Sequence, residues 1–158
     1  MYIWNEYVNC RYSEGAIMVC CLFGHKETPA SIAAELGKVI DHLIQERGVD
    51  EFPVGNQGAF DRMVHRALRE ARNRYPHISY HVVLAYLPNT ESGIYEYSET
   101  FFPDGIENVP PRFAISWRNQ WMVRESDICV SYLAHSWGGA AKSVGYAKKT
   151  KERDYQSV

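Results

Sequence analysis

Cysteine is scarce in this chain of 158 residues, and its few cysteines are not arranged to hold a metal. The four are Cys10, Cys20, Cys21 and Cys129. They form neither a C-x-x-C pair nor a Cys/His cluster at zinc spacing. We therefore expect no metal site. Three of the four fall within apolar runs, where a free cysteine behaves as a small buried hydrophobe.

Long apolar runs and an excess of one charge are also missing. No run is long enough to cross a bilayer, and we find no signal-peptide pattern. The formal net charge is -2, which gives the chain no overall attraction to nucleic acid or to an anionic membrane. We therefore expect a cytoplasmic location, no membrane partner, and only a local site for any anion.

The composition is that of one compact domain. Hydrophobic residues make up 46% and charged residues 23% of the chain, close to globular averages. We expect one domain over 1–158, with an arm or edge strand at 1–14 and a polar tail at 151–158. A loop at 90–111 is too rich in proline and turn residues for a regular element. It is interpreted as a lid or subunit contact, or as a plain surface loop.

Apolar runs alternate with amphipathic segments along the chain. The runs at 15–23, 51–54, 78–87 and 128–134 are interpreted as strands. The segments at 31–48, 60–72 and 112–124 carry apolar residues at helical spacing, and a further short helix follows residue 139. This alternation predicts the α/β class, as a three-layer, Rossmann-like open sheet that is mostly parallel and has helices on both faces.

Three glycine-containing loops follow predicted strands. Their sequences are Gly24-His25-Lys26, Gly55-Asn56-Gln57-Gly58 and His135-Ser136-Trp137-Gly138-Gly139-Ala140. Glycine lets the backbone approach an anion closely, and the positive end of a following helix attracts negative charge. Because ligands bind beyond the carboxyl ends of parallel strands, the three loops predict one cleft at that edge.

Several polar side chains accompany these loops. His25 and His135 both end strands, where an imidazole can bond a ribose or phosphate or act as an acid or base. Arg112, Arg118 and Arg124 lie six residues apart, so we expect one or two of them to reach the cleft, where arginine suits phosphate. The apolar stripe of the same predicted helix contains Phe113, Trp117, Trp121 and also Met122. The two tryptophans are expected in the core or an interface, and Met122 in the core.

Four motifs occur in order along the chain: FGHK at 23–26, VGNQGAFD at 54–61, PRFAISWRNQWM at 111–122 and HSWGGAA at 135–141. Together they resemble the YpsA-like branch of the SLOG superfamily, which also contains DprA-type DNA-binding proteins and the cytokinin-activating LOG enzymes. The resemblance covers about residues 16–149. It implies a Rossmann-like sheet, a cleft for a nucleotide or nucleotide-derived ligand, and a homo-oligomer of two or more subunits.

The resemblance also implies where the ligand contacts lie. Gly24 and His25 match the first ligand loop, Gly55 and Gly58 the second, and the glycine pair with Ala140 the third, while Asp61 and Arg118 occupy polar places in matching motifs. With the other residues of the loops, the expected ligand-binding set is Gly24, His25, Lys26, Gly55, Asn56, Gln57, Gly58, Asp61, Arg118, His135, Ser136, Trp137, Gly138, Gly139 and Ala140.

The chain departs from the LOG pattern at the position of the catalytic carboxylate. LOG enzymes carry Pro-Gly-Gly-x-Gly-Thr-x-x-Glu, whose glutamate serves in cleaving an N-glycosidic bond. The corresponding loop here is SWGGAAKS at 136–143, and no acidic residue follows it until Glu152. Lys26 also stands where an arginine is expected. We therefore assign no catalytic residue, and the sequence favours binding over catalysis.

Three functions follow from these motifs. The first is binding of a nucleotide or nucleotide-derived small molecule, to sense or sequester it, without a cofactor. The alternative is a nucleoside 5′-monophosphate phosphoribohydrolase or related N-glycosidase, with the carboxylate supplied by Asp61, Glu27, Asp104 or Glu107. The third is DprA-like nucleic-acid binding, which the near-neutral charge disfavours.

Overall fold

Strands and helices alternate along the chain, as the sequence predicts. The computed structural model describes residues 3–8, 15–86 and 100–150. The strands are β1 (Ile3–Val8), β2 (Cys20–Gly24), β3 (Glu51–Val54), β4 (Ser79–Val83), β5 (Thr100–Phe101) and β6 (Ile128–Leu133). The helices are α1 (Ala33–Gln45), α2 (Ala59–Arg74), α3 (Pro111–Glu125) and α4 (Gly139–Thr150). The protein therefore belongs to the mixed α/β class.

The strands pair in two three-stranded sheets, ordered β1-β6-β2 and β3-β4-β5. All of these pairs are parallel except β1 with β6, which is antiparallel. Between the sheets, Val19 and Glu51 form an isolated parallel bridge, and the Met18 carbonyl accepts hydrogen bonds from the amides of Asp50 and Glu51. The residues just before β2 therefore pair with the residues at the start of β3.

Apolar side chains on both faces of β2 are buried in separate clusters. Cys20 and Leu22 pack with the buried stripes of α1 and α2. Cys21 and Phe23 pack with residues of α3 and α4. Burial on both faces explains why this run shows no alternation of polar and apolar residues. Cys20, Cys21 and Cys129 are fully buried, as expected, while Cys10 lies outside the described residues.

Strand β2 is shorter than the apolar run from which it was predicted. Two carboxylates bind the backbone just before the strand begins. Asp50 accepts a hydrogen bond from the Met18 amide at 3.2 Å, and Asp127 accepts one from the Val19 amide at 2.9 Å. Ile17 lies before this point and is exposed. Side-chain acceptors therefore take the place of strand partners for the amides of Met18 and Val19.

The face that α3 buries differs in part from the predicted one, although Met122 is buried as expected. Phe113 was expected in the apolar stripe but is 50% exposed, whereas Arg118 is only 1% exposed. Ala114, Arg118 and Met122, four residues apart, form the inward face. Trp117 and Trp121 are partly buried beside this face. The small side chain of Ala114 lets the helix approach its neighbours. The guanidinium of Arg118 donates hydrogen bonds to polar partners.

Part of the predicted irregular loop is regular. Thr100–Phe101 extends the second sheet by pairing with β4, and the Leu84 amide donates to the Phe101 carbonyl at 2.8 Å. The expectation of no regular element is wrong at these two residues, because the edge of β4 offers backbone partners that composition does not reveal. It is also wrong at Ile106–Asn108, which form a short 3-10 helix. Residues 90–99 and the tail at 151–158 lie outside the described residues. Within 3–8, 15–86 and 100–150, no helix has the length and apolar character needed to cross a membrane.

Candidate functional site

A cavity of about 280 Å³ lies beside the loops that follow β2, β3 and β6, and we call it the main cavity. Most of the residues that the sequence predicted for ligand binding line it. These are Gly24, His25, Lys26, Gly55, Gln57, Asp61, Arg118, His135, Trp137, Gly138, Gly139 and Ala140. The volume is close to the lower end of the range for small-molecule sites, about 300–1,000 Å³.

Three predicted residues lie near the main cavity without lining it. Asn56 accepts a hydrogen bond from Nη1 of Arg118 at 3.1 Å, so it supports a residue that does line the cavity. Gly58 precedes α2 with a φ of 93°, and the Ala59 amide that follows it donates to the Lys26 carbonyl. Ser136 is exposed in the loop between β6 and α4.

The glycines of the site fall into two groups. A Cβ at Gly24 would overlap the Phe60 ring, one at Gly55 would lie 2.7 Å from Oδ2 of Asp61, and one at Gly58 would lie 2.6 Å from Cα of Lys26. These three therefore serve close packing within the protein. By contrast, a Cβ at Gly138 or Gly139 would meet nothing within 4 Å. Only this pair leaves open space where a ligand could approach the backbone.

Asp61 and Arg118 form the charged centre of the main cavity. The Gln57 amide donates to Oδ2 of Asp61 at 2.6 Å. Burial raises the pKa of Asp61 to about 6, although the Gln57 hydrogen bond and the positive charge of Arg118 partly oppose the rise. A carboxyl group with such a pKa can gain or lose a proton near neutral pH, as a general acid or base must.

Arg118 is held by three oxygen atoms from separate parts of the site. Nη1 donates to the Val83 carbonyl at 2.7 Å and to Asn56, and Nε donates to Oδ1 of Asn119 at 2.8 Å. Burial lowers the pKa of the Arg118 guanidinium, and the negative charge of Asp61 offsets part of this effect. The guanidinium is thus fixed in orientation at the wall of the cavity.

Three aromatic rings form a continuous stack at the same cavity, which we call the ring stack. His25 and His135 stack at 3.6 Å between ring centroids, and His135 and Trp137 stack at 3.7 Å. The His135 amide donates to Nε2 of His25 at 3.4 Å. Burial and the neighbouring His135 lower the pKa of His25, which favours the neutral imidazole that this hydrogen bond requires.

A smaller second cavity, of about 190 Å³, adjoins the main one. Both are lined by Ile115, Asn119 and Gly139, and the second also by Arg112 and Lys142. Of the three arginines considered in the sequence, Arg118 and Arg112 therefore reach a cavity. Arg124 instead lies over the Trp117 ring, 5.7 Å from its centroid. Sequence reasoning did not single out Asn119, although it directly follows Arg118 in a quoted motif.

The alternative carboxylates occupy different places. Glu27 lines the main cavity with Asp61. Glu107 instead accepts the Gly105 amide at 2.9 Å, beside a short 3-10 helix at Ile106–Asn108. Asp104 lines neither of the two cavities. Over 3–8, 15–86 and 100–150, no group of three or more His, Cys, Asp or Glu side chains could hold a metal ion.

Comparison with known proteins adds no identification. Neither a protein-family model nor a curated protein matches this chain. The resemblance to the SLOG superfamily therefore stays a prediction from its four motifs. What the structure adds is the position of those motifs, because residues from all four line one cavity.

Proposed function

We propose that the protein binds a nucleotide or nucleotide-derived small molecule in the main cavity, to sense or sequester it. The observation that carries this proposal is the open backbone at Gly138 and Gly139, where α4 begins at the wall of a cavity that Lys26 also lines. Backbone amides at a helix start, with the positive end of its dipole and a lysine, suit a phosphate group. The ring stack and Arg118 supply further contacts for a base or sugar.

The proposal includes the finer architecture and the assembly that the resemblance implies. The two apolar clusters on opposite faces of β2 support a three-layer, Rossmann-like arrangement with helices on both faces. The SLOG resemblance also implies a homo-oligomer. Light scattering on the purified protein tests the assembly, since a monomer at micromolar concentration would contradict it.

Thermal unfolding with a panel of ligands tests binding. The panel contains nucleoside monophosphates, NAD, ADP-ribose and cyclic nucleotides, and a ligand that binds the folded state raises Tm as its concentration rises. Lys26→Gln should weaken binding about tenfold by removing a charge from the cavity. Lys38→Gln, at an exposed position of α1, is the matched control and should bind as the wild type does. If no member of the panel raises Tm, the proposal fails.

A second candidate function is hydrolysis of an N-glycosidic bond, and the position of Asp61 favours it. Its carboxyl lies in the cavity with a pKa of about 6, so it could activate water or stabilise an oxocarbenium-like transition state. Chromatography of each stabilising ligand after incubation decides between the two functions. An intact ligand supports binding alone, whereas free base and sugar phosphate indicate hydrolysis.

Two carboxylate variants sharpen that experiment. Asp61→Asn should abolish hydrolysis if Asp61 supplies the carboxylate, while Glu27→Gln, at the same cavity, should retain it. The reverse pattern would assign the reaction to Glu27. The third hypothesis, nucleic-acid binding, is tested with a labelled single-stranded oligonucleotide at low salt, where an electrostatic complex would be strongest.

A further inference from the structure

Trp137 is the most exposed of the large hydrophobic side chains in the described residues, at 68%. Phe113, Tyr86 and Phe101 are exposed as well, but they do not line the main cavity, whereas Trp137 does. An indole left in water at the wall of a cavity forgoes the free energy that burial would supply. Folding alone therefore gives no reason for this placement.

The Trp137 ring is nevertheless held in place. His135 covers one face at a centroid distance of 3.7 Å and an interplanar angle of 18°. His135 in turn rests on His25, which is 4% exposed. A ring nitrogen of His135 also lies 3.0 Å from the Trp137 carbonyl oxygen. Because one face is covered, the exposed area belongs mainly to the opposite face and the ring edges.

The surroundings of the exposed indole indicate what could cover it. Gly138 and Gly139 follow it directly in the chain and leave their side-chain positions open. A planar group on the indole would therefore lie next to backbone suited to a phosphate. A nucleotide has an aromatic base and a phosphate separated by one sugar. Among nucleobases, the two fused rings of a purine overlap a bicyclic indole most fully.

We propose that Trp137 is the platform on which the base of a purine nucleotide stacks, so that the base continues the ring stack of His25, His135 and Trp137. This inference rests on the proposed function and adds to it the ligand class and the residue that selects it. The two histidines position the indole from behind, and the indole contacts the base. Stacking recognises an aromatic face of any orientation, so affinity should depend on the presence and size of the base.

The experiment compares ligands with and without a base. Adenosine and guanosine 5′-monophosphate carry a purine, uridine 5′-monophosphate carries a smaller base, and ribose 5-phosphate carries none. Calorimetric titration of the wild type should give the tightest binding for the purines and the weakest for ribose 5-phosphate. Trp137→Ala should weaken purine binding about 5- to 150-fold, the range for loss of one stacking partner.

The variants separate stacking from a structural effect. With Trp137→Ala, ribose 5-phosphate should bind within about twofold of its wild-type affinity, because it has no base to lose. Trp137→Phe keeps a smaller aromatic face and should recover part of the purine affinity. Phe113→Ala, which removes an exposed aromatic outside both cavities, should bind as the wild type does.

Three results would overturn the inference. In the first, Trp137→Ala binds purine nucleotides as tightly as the wild type; in the second, it loses purine and ribose 5-phosphate equally. In the third, the wild type binds other members of the wider panel but neither purine monophosphate. All three leave the proposed function standing. If the wild type binds nothing in the wider panel, the proposed function and this inference fail together.

Discussion

Arg118 of α3 donates a hydrogen bond from Nη1 to the carbonyl oxygen of Val83, the last residue of β4, at 2.7 Å. The same nitrogen reaches Asn56 in the loop after β3. One buried cation therefore ties a helix of the second half of the chain to two strand ends of the first half. Asp61, near this cation, supplies a negative charge at the same wall of the cavity.

Replacing Arg118 should destabilise the protein substantially. Arg118→Met keeps an unbranched, apolar chain but leaves the buried Val83 carbonyl and the Asp61 carboxylate without their cationic partner. We expect a loss of about 3 kcal/mol in the free energy of unfolding, measured by urea denaturation at pH 7. Arg118→Lys keeps the charge without the fork of donors, so its loss should be smaller.

The control for this prediction is Arg124→Met on the same helix. Arg124 is exposed and lies over the Trp117 ring, so its replacement should change the free energy of unfolding by no more than about 1 kcal/mol. Equal losses for the two methionine variants would show that the contacts of Arg118 with Val83 and Asn56 contribute little.

Alanine at Gly24 and at Gly37 should have opposite effects on stability. A Cβ at Gly24 would overlap the fully buried Phe60 ring, whereas a Cβ at Gly37, within α1, meets no atom within 4 Å. Gly24→Ala should cost about 1–3 kcal/mol through forced repacking. Gly37→Ala should add about 0.5–1 kcal/mol, because alanine loses less backbone entropy in a helix. Thermal unfolding of both variants measures the difference, and a stabilised Gly24→Ala would contradict it.

Gly24 and the helices show what the sequence could and could not predict. Gly24 was predicted in a loop, whereas it is the last residue of β2. Its place at the edge of the sheet beside a cavity could be predicted, because an apolar run ends there and parallel strands end at one edge. That its missing side chain makes room for Phe60 depends on a residue of α2, which no local pattern reveals. Helices α1 and α2 were likewise predictable from apolar spacing, as the buried positions Leu36, Ile40 and Leu43 of α1 illustrate.

The burial of Arg118 likewise could not be predicted from local sequence patterns. A prediction from hydrophobic periodicity assigns arginine to the solvent-facing side of a helix. It therefore put Phe113, and not Arg118, on the buried face of α3. The partners that make burial tolerable, Asn56 and Val83, lie 62 and 35 residues away in the chain. Only the tertiary arrangement brings these acceptors to the guanidinium. The motif at 111–122 did predict Arg118 as a ligand-binding residue, because that prediction came from the family resemblance and not from periodicity. Arg118 lines the main cavity.

His25 should stay neutral to a lower pH than an ordinary histidine. Burial and His135 lower its pKa, and the His135 amide needs Nε2 as an acceptor. Its contribution to stability is therefore present above pH 6.5 and is lost as the pH falls through its folded pKa. Nitrogen NMR of the imidazoles should show the Nδ1–H tautomer at pH 7. A His25 that titrates at or above 6.5 would contradict the structure.

Asp61 should impose the opposite pH dependence. Its folded pKa, about 6, is higher than the ordinary value of 3.8. The unfolded chain thus releases the proton first, and stability that is present below pH 3.8 is lost as the pH rises through 6. The loss by pH 7 is at most about 3 kcal/mol. Because His25 titrates in an overlapping range with the opposite sign, the total stability of the wild type does not isolate either group.

The difference between the wild type and Asp61→Asn isolates the carboxyl group, since His25 is present in both proteins. Asparagine mimics the protonated side chain and keeps an oxygen for the Gln57 amide. The variant should therefore gain stability relative to the wild type as the pH rises from 4 to 7, with the steepest change near about pH 5, midway between the ordinary pKa of 3.8 and the folded pKa of about 6. Urea denaturation at half-unit pH steps measures this difference. If the difference is independent of pH, the pKa of Asp61 is the same in the folded and unfolded protein. Asp61 is then solvated and is not suited to act as an acid or base at neutral pH.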